Sequence, residues 1–372
     1  MRKPNEIDFW RGFALVTIFV NHVPGIYFER FSFRNVSLSD SAELFVFLAG
    51  WSLRLQIGGS AALMSPGRIF LRLSGRAVNV YVAQLVITEI ALALLAGASL
   101  LLDAPFLLDW HNASAVFNQP VEAHVGLVFM LHQLGYFNIL PLYVVLMAGA
   151  PFLALAARYV PWGVLPVSLT IYAATLATGF NLPTWPVEGS WFLNPFAWQL
   201  IFVLGFVLGG NSGLGAFARH YRRYIFWCAL PIVATAVLIG LTRYSPEPLS
   251  VPDPKLFFVF DKTFLSPARL LDMLALTAVF AGSFGVVNRF LPRCCRYFSL
   301  LGRNSLTVFC IASLLSLVGQ ILRFVYGGLV ATDAIMLMLG LVIMGTAAWI
   351  SEWRDRLHNA SPGLQVSSSA SA

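Results

Sequence analysis

Two ionisable pairs with one shared spacing offer the clearest chemistry in this sequence. Arg11 and His22 stand eleven residues apart in an otherwise apolar run, and Glu43 and Arg54 do the same in the next such run. Eleven helical residues make about three turns with roughly 20° left over, so the members of each pair share a face about 16 Å apart along the axis. In two antiparallel helices, His22 then stands level with Glu43, and Arg11 level with Arg54. A buried, neutral imidazole beside a carboxylate can take a proton from a hydroxyl, and the carboxylate stabilises the imidazolium that forms. Arginines at the other end suit a phosphorylated ligand, because the planar guanidinium grips phosphate oxygens in pairs. Arg72 and Arg76 extend the same basic mouth, and Asp8, three residues before Arg11, is placed to pair with it. The chemistry is that of a hydroxyl activated against an acyl donor, with His22 as base and Glu43 as its orienting partner. A purely structural His–Glu pair is the alternative.

These groups sit in a chain that avoids water. Of its 372 residues, 58% are hydrophobic and only 11% charged, with a mean hydropathy of +0.76. Soluble domains carry about 25% charge. A disordered chain, a collagen, a disulfide scaffold and a nucleic-acid-binding domain are excluded on that ground, despite a pI near 9.4. What remains is an all-α polytopic membrane protein. Apolar runs separated by polar punctuation place spans at 10–28, 42–57, 77–102, 138–157, 163–182, 196–210, 224–241, 265–287, 306–326 and 329–350, ten in all. The apolar stretch 123–136 is too short to cross and reads as a re-entrant or interfacial piece. One membrane domain covers 1–357, and the Ser/Ala-rich 358–372 reads as a disordered tail.

All but three of the 24 cationic residues are Arg, and their placement sets the orientation. With both termini in the cytosol, fifteen cations fall inside and six outside, a positive-inside bias. The first span carries Arg11, Asn21 and His22 with no cleavage site after it, so it is not a signal peptide. No repeat or symmetric pair of halves is visible, which weighs against a transporter. The four cysteines show no disulfide or metal-ligand pattern, and no metal or cofactor is expected. Ionisable residues inside the spans are functional candidates by default. Asp272 is one. Glu89, near Asn79, Gln84 and Thr88, is either functional or glue between helices, whereas Arg323 and Asp333 lie close enough to span ends to snorkel.

The stretch from Arg2 through Asp8, Arg11-Gly12-Phe13-Ala14-Leu15 and Asn21-His22 resembles the membrane acyltransferase superfamily often called acyltransferase 3, whose Arg-x10-His signature falls on Arg11 and His22. More narrowly the chain resembles the OpgC type, through SAELFVFLAG at 41–50, NPFAWQLIF at 194–202, KTFLSPAR at 262–269 and LGRNSL at 301–306. The resemblance implies a multi-pass enzyme of the bacterial inner membrane. It would move an acyl group, succinyl in the OpgC type, from a cytosolic coenzyme A thioester to hydroxyls of a periplasmic glucan. It makes His22 the catalytic histidine and Arg11 a donor-side residue; Glu43 as partner rests on helix geometry alone.

The expected site then has His22 and Glu43 as catalytic residues and Arg11, Arg54, Arg72 and Arg76 around the acyl-CoA. Asn194, Trp198, Gln199 and Arg269 lie on the acceptor side, where an aromatic face and an amide suit a sugar and Arg269 suits an acidic group. Interfacial tryptophan belts and snorkelling arginine are the alternatives for that set. The partners are acyl-CoA, a glycan acceptor and membrane lipid, with no nucleic acid. The rival function is a proton-coupled transporter of glycan or lipid-linked sugar that uses His22 and Glu43 as a relay.

Overall fold

Helix dominates the computed structural model, which describes residues 3–58, 64–247 and 249–360, with side chains as far as 357. Arg2 and the tail from 361 lie outside the described residues. In chain order the helices are α1 (Glu6–Asn21), α2 (Ser41–Ile57), α3 (Pro66–Leu101), α4 (Ser114–Asn118), α5 (Pro120–Val128), α6 (Ile139–Tyr159), α7 (Val164–Thr178), α8 (Pro195–Leu208), α9 (Gly213–His220), α10 (Arg222–Thr242), α11 (Pro267–Phe280), α12 (Phe284–Phe290), α13 (Pro292–Arg303), α14 (Ser305–Tyr326) and α15 (Val330–Ala360). A two-residue antiparallel hairpin, β1 (Pro183–Thr184) with β2 (Gly189–Ser190), interrupts them.

Every apolar run read from the sequence falls on a helix, but not every such helix is long enough to cross. Among the described residues, α3, α6, α10, α14 and α15 are long and apolar enough, and the bent pairs α8–α9 (70°) and α11–α12 (54°) bring the total to seven. The helices α1, α2 and α7 have 16, 17 and 15 residues. At 1.5 Å per residue they span about 22–26 Å, short of the roughly 30 Å hydrocarbon layer. Length and composition thus carry five to seven crossings where the hydropathy pattern suggests ten. The piece at 123–136 is the nine-residue α5 followed by turns, too short to cross.

Local sequence explains the boundaries. Asn5 caps α1 by accepting from the Asp8 N–H at 2.9 Å, and acidic Glu6 and Asp8 suit the first turn. The helix stops at Asn21 rather than running to residue 28, because Pro24 cannot continue it and Gly25 (φ +76°) turns the chain. The run 265–287 breaks at Ala281-Gly282-Ser283, where Gly282 has φ +74° and its N–H donates to Glu6 Oε1 at 2.7 Å. Residues 292–303 read as an Arg-rich loop by charge. They form α13, whose Cys295, Ser299, Leu301 and Gly302 are buried and whose Arg293 and Arg296 are exposed. Such an amphipathic pattern is a helix signal that the charge obscured.

Packing places α1 among α13, α2 and α14, and α2 against α8. The two tightest seams are glycine seams. A Cβ on Gly12 would overlap the Phe298 carbonyl, and one on Gly302 that of Asp8, which locks α1 to α13. Gly50 faces the Phe202 carbonyl and Gly205 that of Phe47, which locks α2 to α8 in the same way. Around this centre α10 and α15 are mostly exposed, as lipid-facing helices are. Arg323 and Asp333 do not snorkel apart. They form an ion pair between α14 and α15, and Asp333 Oδ2 also accepts from the Tyr27 N–H at 3.1 Å. Glu89 is exposed on α3 and joins no neighbouring helix among the described residues, so the glue reading fails for it.

Gly50→Ala should lower stability by about 1–3 kcal/mol or more, because the new methyl meets a backbone carbonyl that cannot move aside. Gly149, on α6 with open space around it, is the control: Gly149→Ala should leave stability unchanged or slightly raised. Denaturant unfolding in micelles, followed by tryptophan fluorescence, checks both.

Candidate active site

Asp40 and Glu43 begin α2 as a reciprocal cap. Asp40 Oδ1 accepts from the Ala42 N–H at 2.8 Å, and Glu43 Oε2 accepts from the Asp40 N–H at 3.0 Å. Their remaining oxygens take up two cations from a distant part of the chain. Lys262 Nζ donates to Asp40 Oδ2 at 2.5 Å, and Arg269 donates to Glu43 Oε1 from Nε at 2.8 Å and Nη2 at 2.5 Å. Arg269 also reaches Asp40 Oδ2 at 3.7 Å. Glu43 is fully buried, so its charge is sustained only by this fork.

The loop carrying Lys262 is held from below. Trp198 Nε1 donates to the carbonyls of Lys262 (3.0 Å) and Thr263 (3.2 Å), and the Asn194 N–H to that of Thr263 at 3.0 Å. The Tyr172 hydroxyl donates to the Leu265 carbonyl at 2.7 Å, where Leu265 takes the left-handed φ of +47°. On the facing side, Asp272 of α11 accepts from Ser37 Oγ, Ser39 N and Ser39 Oγ at 2.5, 2.8 and 2.6 Å, docking the segment that leads into Asp40.

His22 closes α1 as its C-cap, with its N–H on the Ile18 carbonyl at 2.9 Å. Its ring lies 5.0 Å from that of Tyr136, tilted by 58°. Its Nδ1 is buried and has no hydrogen-bond partner among the described residues. The charged and titratable groups whose fields reach the ring are Lys262, Asp40, Arg34 and His111. Gln320 of α14 donates through Nε2 to the His22 carbonyl at 2.6 Å and turns Oε1 to His111 Nε2 at 2.7 Å. The His22 carbonyl can only accept, so the amide oxygen must face His111, and His111 must carry a proton on Nε2.

At the other end of α1, Arg11 donates to the Ser305 hydroxyl, and its buried Nε has no hydrogen-bond partner among the described residues. Arg76 lies within electrostatic reach of Arg11, Arg72 and Tyr143. None of Arg11, Arg72 and Arg76 is ion-paired to a carboxylate among the described residues. Three guanidiniums with no carboxylate partner among the described residues give this end a positive field.

Several sequence expectations change. Glu43 does not orient His22, because both of its oxygens are taken by Arg269 and the Asp40 N–H; Asp40 is the carboxylate whose field reaches the histidine. Asp8 is bonded to Asn5 instead of Arg11. Arg54 stands over the Phe206 ring at 5.2 Å, in a cleft of about 470 Å³ lined also by Trp162 and Leu214, where none of the other three arginines lines the wall. Asn194, Trp198 and Gln199 do not face an acceptor. Asn194 is fully buried as the α8 cap, with Oδ1 on the Phe196 N–H at 3.0 Å and Nδ2 on the Phe180 carbonyl at 2.6 Å. Trp198 is fully buried, and Gln199 bridges to Ser168 Oγ at 2.6 Å and the Ser168 carbonyl at 2.9 Å. Asn194-Pro195 is itself a cap signature, legible in the sequence. So is the Asp40-Ser41-Ala42-Glu43 box, which should have pointed to Asp40.

A family model described as OpgC protein matches residues 2–356, nearly the whole chain. No curated protein and no solved structure matches it. The chain belongs to the OpgC family, and membership implies a transferase that modifies glucans.

Arg269→Met strands the Glu43 carboxylate in the interior and should destabilise the protein by about 3–5 kcal/mol. The double variant Glu43→Leu with Arg269→Met removes the stranded charge as well and should recover much of that loss. Thermal unfolding in detergent, compared across the three proteins, reads both effects.

Proposed function

We propose, with OpgC membership as the premise, that this chain is an inner-membrane O-acyltransferase that moves an acyl group from a cytosolic acyl-CoA to a hydroxyl of a periplasmic glucan. The acyl group of this reading is succinyl, and both termini of the multi-pass chain are cytosolic. The observation that carries it is the polarity of α1, with uncompensated Arg11, Arg72 and Arg76 at one end and His22, its Nδ1 unpartnered, at the other. The three arginines receive the phosphates of the donor, whose extended pantetheine arm carries the thioester along α1 toward His22 over about 16 Å.

At the far end His22 takes the proton of the acceptor hydroxyl, whose oxygen attacks the thioester carbonyl; the C–O bond forms, the C–S bond breaks, and the proton passes to the departing thiolate. The Asp40 carboxylate favours the imidazolium while it exists, and Lys262, paired to Asp40, opposes that charge. Glu43 acts at one remove, as a positioning residue. It holds Arg269, which with Lys262 fixes the orientation of Asp40.

Purified protein in nanodiscs, given succinyl-CoA with and without a β-glucan, tests the reading. Free CoA released only with the acceptor is expected; glucan movement driven by a proton gradient without CoA release would replace the enzyme by a transporter. In the same assay His22→Ala should lose about 10²–10⁴-fold in turnover at unchanged protein abundance. Arg11→Lys keeps the charge but not the fork, and should raise the KM for the thioester while leaving that for glucan unchanged.

A further inference from the structure

The segment between α3 and α6 approaches His22 with an unusual backbone. His111, Asn112, Met130 and Tyr136 all take left-handed φ values, +59°, +64°, +59° and +66°. Side chains other than glycine rarely do so, and a bulky Tyr is an outlier there. Such conformations persist only where the surroundings over-determine them, and they gather at ligand sites. What this backbone achieves is specific. It sets the Tyr136 ring between two imidazoles, 5.0 Å from His22 and 5.3 Å from His111. The Gly135 N–H donates to the His111 carbonyl at 3.0 Å, so the two turns brace each other.

The ring is not there to fill a core. Tyr136 is 37% exposed, and its hydroxyl makes no hydrogen bond among the described residues. His111 is only half-buried, and Gln320 locks it in one orientation with its proton on Nε2. An open aromatic face beside a fixed imidazole and next to the proposed base matches a carbohydrate ring, which has an apolar C–H face to stack and hydroxyls at its rim to bond. Asn194, Trp198 and Gln199, which the sequence set aside for the acceptor, spend their polar atoms inside the fold, whereas the Tyr136 hydroxyl does not.

We propose that Tyr136 and His111 form the acceptor subsite: a sugar residue stacks on the Tyr136 ring, which brings one of its hydroxyls to His22. This deepens the acyl-transfer reading and rests on it for the identity of the ligand.

Tyr136→Gly and Tyr136→Phe decide the matter, because glycine adopts the left-handed conformation freely. Because glycine keeps the backbone of this turn, thermal unfolding should show Tyr136→Gly at least as stable as a Tyr136→Leu comparison. Direct titration of the nanodisc-embedded proteins with a β-glucan oligosaccharide should show at least tenfold weaker binding for Tyr136→Gly and near-native binding for Tyr136→Phe. In turnover, the KM for glucan should rise at least tenfold in Tyr136→Gly, while the KM for acyl-CoA stays within about twofold of the wild type. Equal glucan binding by the wild type and Tyr136→Gly would overturn the subsite. So would a fall in kcat with the KM for glucan unchanged, which would make Tyr136 a prop for His22. The titration needs no catalysis, so a wild type that binds glucan but releases no CoA would refute the acyl-transfer reading and leave the subsite standing.

Discussion

The fully buried Glu43 carboxylate is the constraint on which one whole end of this molecule depends. An ion that deep is tolerable only with a partner of good geometry and with its other lone pairs satisfied. Arg269 supplies a two-pronged fork and the Asp40 amide supplies the rest. Arg269 can stand there only if α11 starts where it does, which fixes the loop before it. That loop is threaded under Trp198 and Tyr172 and brings Lys262 to Asp40. One buried charge thus ties the start of α2 to α7, α8 and α11 and sets the electrostatic surroundings of His22.

The opposite end of α1 obeys the reverse rule. Its cations have no carboxylate partners among the described residues, so the field there is positive, whereas the carboxylates near His22 are ion-paired. A short helix with a cluster of cations at one end and a partly unpartnered imidazole at the other gives the chain a direction. The long, mostly exposed helices α10 and α15 contribute span and lipid contact more than chemistry.

The helical segments were legible because apolar runs of this length have few other readings. Arg11 and His22 were legible because a charged group inside such a run is conspicuous. The Glu43 pairing was not, because an eleven-residue spacing shows which face a carboxylate occupies but not which cation will claim it, and Arg269 lies 226 residues away. Asn194, Trp198 and Gln199 looked like ligand contacts because capping and bridging use the same polar atoms as recognition; only their saturation in the fold tells the two apart. The acceptor-side histidine was hidden for another reason. His111 and Tyr136 sit in a connecting segment with no periodicity, and a left-handed backbone at residues other than glycine leaves no trace in sequence rules.

The glycine seams that lock α1 to α13 and α2 to α8 bear on heredity as well as on packing. Every single-nucleotide missense change in a glycine codon installs at least a methyl group, and at Gly12, Gly50, Gly205 and Gly302 a methyl would strike a backbone carbonyl. No neighbouring side chain can be trimmed to make room, so no second-site exchange restores the contact without parting the helices. The lipid-facing surfaces of α10 and α15 can drift among apolar residues with little effect. Those four codons cannot, and a lineage that loses one has no short genetic route back except reversion.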